Sequence, residues 1–131
     1  MIVIDTSAII AILEFEPERA ALMDVIARNE RRLISAVSFQ EAGMVLVGRN
    51  GPDGMIDLTT FVASTQAEIV PFDAELARIA IAAFQRFGKG HHPRARLNFC
   101  DCSAYALAAS LGAPLLYKGD DFAATDLEPA T

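Results

Sequence analysis

The sequence predicts an α/β fold in which a mostly parallel central sheet of four or five short strands is flanked by helices. Short apolar runs alternate along the chain with segments of helical periodicity, a pattern typical of parallel strands joined by helical crossovers. The chain has 131 residues and is 53% hydrophobic, which is sufficient to bury one core without disulfides. We therefore expect a single domain spanning residues 1–131.

Four apolar runs are the predicted strands. They are IVI at 2–4, RLISAV at 32–37, EIVPF at 68–72 and PLLYK at 114–118. Each is short and bounded by polar, Gly or Pro residues, as expected for strands covered by helices.

The first half of the chain contains the weaker helical patterns. Pro17 suits the first turn of a helix that ends near Asn29, because proline is tolerated where the backbone N–H has no helical partner. The NGPDG stretch at 50–54 separates two further helices, at about 38–49 and 54–66. These helices would connect the first three strands.

The second half contains the clearest helix. Apolar residues recur at helical spacing from Leu76 to Phe87, with Asp73 as the predicted N-cap and Gly88 as the stop. A small apolar helix at about 101–111 ends at Gly112. It would lead into the last strand.

Charge and composition restrict the class of function. The formal net charge of −6 argues against non-specific attraction of the whole surface to nucleic acid. No basic segment precedes the first apolar run and no run is long enough to span a membrane, so we expect a cytoplasmic chain with no membrane partner. Cys100 and Cys102 are too close in sequence for an ordinary disulfide and too few for a zinc site.

One loop is basic although the chain as a whole is acidic. The stretch RFGKGHHPRAR, from residue 86 to residue 96, contains glycines and a proline that prevent a regular helix. Its cations are Arg86, Lys89, Arg94 and Arg96, which are candidate contacts for RNA phosphates. The alternative is a solvated connection whose charges only aid solubility. His91 and His92 could bind phosphate when protonated, but adjacent surface histidines in a loop are more often incidental.

Several acids are expected at one edge of the sheet. Asp5 follows the first strand, Glu41 lies one turn into the helix after the second, and Asp101 begins the helix before the last strand. Asp120 and Asp121 follow that last strand. Because ligand sites of parallel sheets gather at the carboxyl ends of the strands, these side chains are predicted to meet.

Each acid also has a structural explanation. Asp5 could cap the following helix, and Glu41 ends an SFQE motif that matches a capping box. Asp101 could interact with its helix dipole or close the NFCD capping arrangement, and the GDDF segment could be a polar turn. Taken together, the acids would repel one another, since Lys118 is the only cation in these motifs. Oxygen ligands favour Mg²⁺, which suits hydrolysis of phosphodiesters.

Four motifs resemble those of PIN-domain ribonucleases of the VapC type. They are IVIDTSAII, SAVSFQEAGMVL, LNFCDCSAYALA and PLLYKGDDFAATDL, and their order and spacing cover essentially the whole chain. The resemblance implies a PIN-like sandwich and the toxin of a type II toxin-antitoxin system. Such a toxin is a Mg²⁺- or Mn²⁺-dependent endoribonuclease that forms a homodimer and is inhibited by a cognate VapB-type antitoxin.

The resemblance also implies roles for individual residues. By motif, Asp5, Glu41 and Asp101 match the three principal acids, and Asp121, or failing that Asp120, matches the fourth. Thr6 or Ser7 matches the hydroxyl that hydrogen-bonds the acids. Two positions depart from the family pattern: Cys100 stands where glycine is common, and Ser103 stands where an aromatic residue is common.

Two other functions are compatible with parts of the sequence. A catalytically degenerate PIN-like scaffold would bind RNA or a partner without cutting it. Phosphoryl transfer through an aspartyl phosphate would also place an acid after the first strand, but the second Asp expected two positions later is Ser7. The hydrolytic nuclease therefore remains the first expectation.

Overall fold

The computed structural model describes residues 1–130 of the chain, so Thr131, the last residue of the predicted domain, lies outside it. Its described part contains four strands: β1 Ile2–Ile4, β2 Arg32–Ser35, β3 Glu68–Val70 and β4 Leu115–Leu116. They form one sheet in the order β3-β2-β1-β4, and every pairing is parallel. This confirms the predicted parallel α/β fold.

The register brings the carboxyl ends of three strands to the same edge. Val3 pairs with both Leu33 of β2 and Leu115 of β4, so β1 occupies an interior position. The residues that follow β1, β2 and β4 therefore emerge side by side. This is the edge at which the acids were expected.

Helices connect and cover the strands. In residues 1–130 they are α1 Thr6–Leu13, α2 Arg19–Arg28, α3 Ala36–Asn50, α4 Pro52–Thr65, α5 Ala74–Phe87 and α6 Phe99–Leu111. No helix in this described range combines the length and apolar character that a membrane crossing requires.

Both faces of the sheet are buried because alternate strand residues point in opposite directions. Ile2 and Ile4 pack with residues of α1 to α4, whereas Val3 packs on the other face with residues of α5 and α6. All three are at most 1% exposed. The sheet therefore lies between two layers of helices.

Most of the predicted helix ends agree with the structure. The Asp73 carboxylate accepts a hydrogen bond from the Leu76 N–H at 2.9 Å, and Gly88 and Gly112 follow the last residues of α5 and α6. The prediction for Pro17 is wrong, because α2 begins at Arg19. Proline therefore lies in the turn before the helix rather than in its first turn.

The boundary between β2 and α3 also differs from the prediction. The strand ends at Ser35, and the helix begins at Ala36 instead of near residue 38. The Ser35 hydroxyl accepts a hydrogen bond from the Val37 N–H at 3.2 Å and so caps the helix. Ala36 and Val37, expected in the strand, belong to the first turn of α3.

The turn between α3 and α4 brings two helix backbones into close contact. Gly54 lies in the first turn of α4 and is buried. A Cβ at this position would lie 2.4 Å from the backbone carbonyl of Leu46 in α3. The absence of a side chain at Gly54 therefore permits this packing.

Candidate functional site

Asp5 is a buried carboxylate at the carboxyl end of β1. It is 3% exposed and caps α1. One oxygen, Oδ2, accepts hydrogen bonds from both the backbone N–H of Ser7, at 2.9 Å, and the Ser7 hydroxyl, at 2.6 Å. The capping explanation is therefore correct, and it leaves the second oxygen, Oδ1, without these bonds.

The two hydroxyls after Asp5 have different roles. The Ser7 hydroxyl donates to Asp5 and also accepts a hydrogen bond from the Lys118 backbone N–H at 3.0 Å, which links the chain after β1 to the chain after β4. The Thr6 hydroxyl instead donates to the Ser38 carbonyl at 3.2 Å. Of the two candidates, Ser7 contacts the acid, while Thr6 connects α1 to α3.

Burial makes the charged form of Asp5 unfavourable. The pKa of Asp5 is raised from 3.8 to about 6; burial is the largest cause and the charge of Glu41 adds to the rise, while the hydrogen bonds from Ser7 act in the opposite direction. The pKa shows that Asp5 and Glu41 lie within electrostatic reach of each other.

Asp101 is held by its helix terminus. Its carboxylate accepts the Asn98 N–H at 3.0 Å, while the Asn98 side chain accepts the Asp101 N–H at 2.9 Å, so the predicted capping box is present. Burial nevertheless raises the pKa of Asp101 from 3.8 to about 7, and the charges of Asp5, Asp121 and Glu41 contribute to the rise. The cap therefore does not remove Asp101 from the acidic group.

Glu41 is not part of a capping box. Since α3 is capped by Ser35, Ser38 lies inside the helix, where its buried hydroxyl has no hydrogen-bond partner in the described residues. Glu41 therefore lies in the second turn of α3 with its carboxylate available to the site. The capping explanation of Glu41 is wrong because the helix begins earlier than the motif suggested.

Cys100, noted in the sequence only as a departure from the family pattern, is a neighbour of these acids. Burial, a hydrogen bond to Glu41 and the charges of Glu41, Asp101 and Asp5 raise the pKa of its thiol to about 12. The thiol is therefore neutral at physiological pH and can donate to a carboxylate. Its contact with Glu41 depends on α3 and α6 packing together, which a local motif does not reveal.

The two acids after β4 are both exposed, but they do not contribute equally. The charge of Asp121 raises the pKa of Asp101, whereas Asp120 is not among the charges that do so. The next residue, Phe122, is 3% exposed and packs against Tyr117 with ring centroids 5.2 Å apart. This packing fixes the backbone beside Asp121.

The acidic group has no cationic partner within the described residues. Asp5, Glu41, Asp101, Asp120 and Asp121 form no ion pair with any residue from 1 to 130. Lys118, the cation nearest to them in sequence, directs its ammonium group to Glu16 and Glu18, with 3.1 Å to Glu18. Within residues 1–130, no cationic side chain therefore offsets the repulsion among the acids.

The oxygen donors suit a hard divalent cation that keeps much of its water. Across residues 1–130, no three His, Cys, Asp or Glu side chains converge closely enough to hold one ion by themselves. Mg²⁺ commonly takes one or two carboxylates and retains several waters. The fit is therefore to a hydrated ion bound by a few carboxylates, and not to a closed protein cage.

The basic loop is only partly available to a ligand. Arg86 pairs with Asp126 at 3.4 Å and lies over the ring of Phe87, while the Tyr105 hydroxyl donates to Asp126 at 2.6 Å. The other candidate cations, Lys89, Arg94 and Arg96, are exposed and form no ion pair within the part of the chain that the structure describes.

Comparison with known proteins gives a consistent result. A family model described as "PIN domain" matches residues 2–128. The chain is 42% identical over 125 residues to a protein of Mycolicibacterium smegmatis named Ribonuclease VapC, covering 95% of this chain and 96% of that protein.

Solved structures share the fold. The crystal structure of VapC20 from Mycobacterium tuberculosis, described as a Sarcin-Ricin loop cleaving toxin, aligns with a TM-score of 0.79 and 19% identity, covering 97% of this chain and 96% of that one. VapBC2 from Rickettsia felis, bound to a DNA fragment from the promoter, aligns with a TM-score of 0.77 and 14% identity over 98% and 96% of the two chains. Together with the family match and the VapC relative, the parallel sheet and its acidic edge place this chain in the PIN-domain family, among the VapC ribonucleases.

Proposed function

We propose that this chain is the toxin of a VapBC-type toxin-antitoxin system and hydrolyses RNA phosphodiester bonds with Mg²⁺ or Mn²⁺ bound at the acidic edge of its sheet. The single observation that carries the proposal is the group formed by Asp101 and the three carboxylates whose charges raise its pKa, Asp5, Glu41 and Asp121, none of which has a cationic partner in residues 1–130. A divalent cation compensates this charge, and an RNA phosphate supplies further oxygen ligands to it.

The acids have distinct proposed roles. Asp5 and Asp101, whose pKa values are raised to about 6 and about 7, would hold the metal directly once they have lost their protons. Glu41 and Asp121 would bind through water or orient the attacking water. The metal, when bound, stabilises negative charge on the phosphate oxygens and lowers the pKa of water.

Three further residues have proposed supporting roles around the acids. The Ser7 hydroxyl holds Oδ2 of Asp5 and the backbone at Lys118, so it fixes two strand ends relative to each other. Asp120 is retained as the weaker candidate for the fourth acid. Thr6 is proposed only to support α1, through its bond to α3.

RNA would contact the cations of the loop before α6. Lys89, Arg94 and Arg96 are exposed, and phosphate contacts of this kind position RNA without reading its sequence. Arg86 would contribute less, since its guanidinium group already pairs with Asp126. Because counterions are released when phosphates are bound, RNA affinity should fall with salt concentration.

The family indicates an antitoxin partner, and the exposed apolar residues indicate a homodimer. A VapB-type antitoxin is the proposed inhibitor, and a cationic side chain inserted among the acids would replace the metal. A homodimer is also proposed, since α5 and α6 expose Ile81, Phe84 and Phe99 around an apolar cavity of about 540 Å³. The proposed location is the cytoplasm.

The test is cleavage of labelled RNA by the purified chain in the presence of Mg²⁺ and of EDTA. Asp101→Asn should abolish cleavage, whereas Asp57→Asn, which changes an exposed acid on α4, should cut as the wild type does. Equal cleavage by wild type and Asp101→Asn would overturn the proposal. A wild-type chain that binds RNA but cuts none with Mg²⁺ or Mn²⁺ would instead identify a degenerate scaffold.

A further inference from the structure

The loop between α5 and α6 is closed at its base by backbone hydrogen bonds. The Lys89 N–H donates to the Leu97 carbonyl at 3.0 Å, and the Leu97 N–H donates to the Phe87 carbonyl at 3.1 Å. The next residue, Asn98, caps the helix that carries Asp101. The base of the loop is therefore attached directly to the acidic site.

His92 organises the interior of this loop. Its Nδ1 accepts hydrogen bonds from two consecutive backbone N–H groups, Arg94 at 3.0 Å and Ala95 at 2.8 Å. Its ring lies against Phe87 with centroids 5.7 Å apart. Nδ1 accepts both bonds through its lone pair, so this nitrogen is the acceptor that holds the turn.

The neighbouring histidine does not make such bonds. His91 packs its ring edge-on against Phe84, with centroids 4.9 Å apart, and its side chain forms no hydrogen bond within the described residues. The two histidines, treated alike on sequence grounds, therefore differ in structure. His91 provides a matched control for His92.

The turn at His92 determines where two arginines point. Ala95 and Leu97 are both completely buried, whereas Arg94 and Arg96 alternate with them and are exposed. The N–H groups held by His92 belong to Arg94 and to Ala95, the residue between the two arginines. Without an acceptor at position 92, this segment loses two of the hydrogen bonds that set its backbone direction.

We propose that His92 is a positioning residue for RNA binding: its imidazole holds the backbone so that Arg94 and Arg96 face phosphates of an RNA strand bound across the acidic edge. This inference rests on the proposed role of the loop in RNA binding. His92 itself contacts neither the RNA nor the metal. It acts through the two arginines, and it lowers the cost of ordering them when RNA binds.

The test compares His92→Ala, His92→Asn and His91→Ala. The amide oxygen of asparagine can accept the same backbone N–H groups, since Asn commonly bonds to the backbone two residues ahead. Losing two backbone hydrogen bonds should raise the Kd for labelled RNA in EDTA, and the KM for cleavage in Mg²⁺, about five- to tenfold in His92→Ala. We expect kcat to stay within twofold, and His92→Asn and His91→Ala to match the wild type.

A fourth variant separates this inference from the role of the loop. If Arg94→Ala combined with Arg96→Ala leaves RNA affinity and its salt dependence unchanged, the loop does not bind RNA. If that double variant weakens binding but His92→Ala does not, or if His92→Asn is as weak as His92→Ala, the positioning role is wrong. Should His92→Ala fail to fold, His92→Leu keeps the packing against Phe87 while removing the acceptor, and the same outcomes apply.

Discussion

Replacing Asp5 with asparagine should stabilise the metal-free protein while abolishing RNA cleavage. Oδ2 of Asp5 accepts both hydrogen bonds from Ser7, and the amide oxygen of asparagine can occupy that position and keep the cap of α1. What the substitution removes is a negative charge that is 3% exposed and lies near Glu41. We therefore expect the charged Asp5 side chain to destabilise the metal-free protein, although RNA cleavage requires it.

The expected gain in stability can be calculated from the pKa of Asp5. Asp5 loses its proton near pH 3.8 when exposed to water and near pH 6 in the folded protein. At about 1.4 kcal/mol per pKa unit this difference corresponds to about 3 kcal/mol. The folded state binds the proton of Asp5 more tightly than the unfolded state does. The stabilisation that results is therefore fully present below pH 3.8 and is lost as the pH rises through 6.

The assay is urea denaturation in EDTA at pH 8 and at pH 5. Asp5→Asn should be more stable than wild type by up to about 3 kcal/mol at pH 8, and by about half as much at pH 5, where wild-type Asp5 is mostly protonated. Adding Mn²⁺ at pH 8 should then stabilise the wild type and leave Asp5→Asn unchanged, since a ligand that binds only the folded state shifts the equilibrium.

The control is Asp57→Asn, which changes an exposed acid and should not alter stability at either pH. A loss of stability in Asp5→Asn at pH 8 would mean that the Asp5 charge is compensated in the folded protein. A gain of the same size at both pH values would show that the effect is not linked to a proton. Either result would refute the reasoning.

Three further predictions concern the support of the site and the packing beside it. Ser7→Ala removes the hydroxyl hydrogen bond that lowers the pKa of Asp5 and keeps the bond from the backbone N–H, so the midpoint of the rise in cleavage rate with pH should move upward in a profile from pH 5 to 9, and an unchanged midpoint would contradict this. Asp121→Asn should lower kcat about 100-fold and Asp120→Asn less than about threefold in single-turnover cleavage, and equal losses would show that Asp121 has no special role. Gly54→Ala would place a methyl group 2.4 Å from the backbone of α3 and should cost about 2 to 3 kcal/mol in urea denaturation, so unchanged stability would mean that the helices separate easily.

The acidic edge was predictable because its acids are marked by local patterns. Asp5 directly follows an apolar run, and Asp121 follows another, so a parallel sheet was expected to bring them to one edge. The structure pairs β1 with β4 and links Ser7 to Lys118, which agrees with that expectation. Short apolar runs followed by an acid were therefore sufficient to predict which acids lie at the ends of strands.

The boundary of α3 was not predictable from its motif. SFQE reads as a capping box, but β2 ends at Ser35, which pairs with Val70 of β3. The pairing with a strand more than thirty residues away therefore determines where the helix begins. Glu41 therefore does not close a capping box with Ser38, although the local sequence favoured that role.

The ion-pair partners of the charged side chains could not be predicted from the sequence either. Lys118 is adjacent to the GDDF acids in sequence, yet its ammonium group binds Glu16 and Glu18 about one hundred residues earlier. Arg86 was grouped with the other loop cations, but it pairs with Asp126. Charge patterning identifies which residues are charged, whereas the tertiary fold decides which of them stay unpaired.

The placement of β1 has a consequence for how the molecule is made. The first strand is translated before the other three, but one of its two neighbours in the sheet is β4, and the bond between Ser7 and Lys118 spans 111 positions. Since translation proceeds from the amino terminus, a growing chain carries Asp5 and Glu41 long before it has the segment that completes their surroundings. We therefore expect the acidic edge to form only after the segment that contains β4 has been translated.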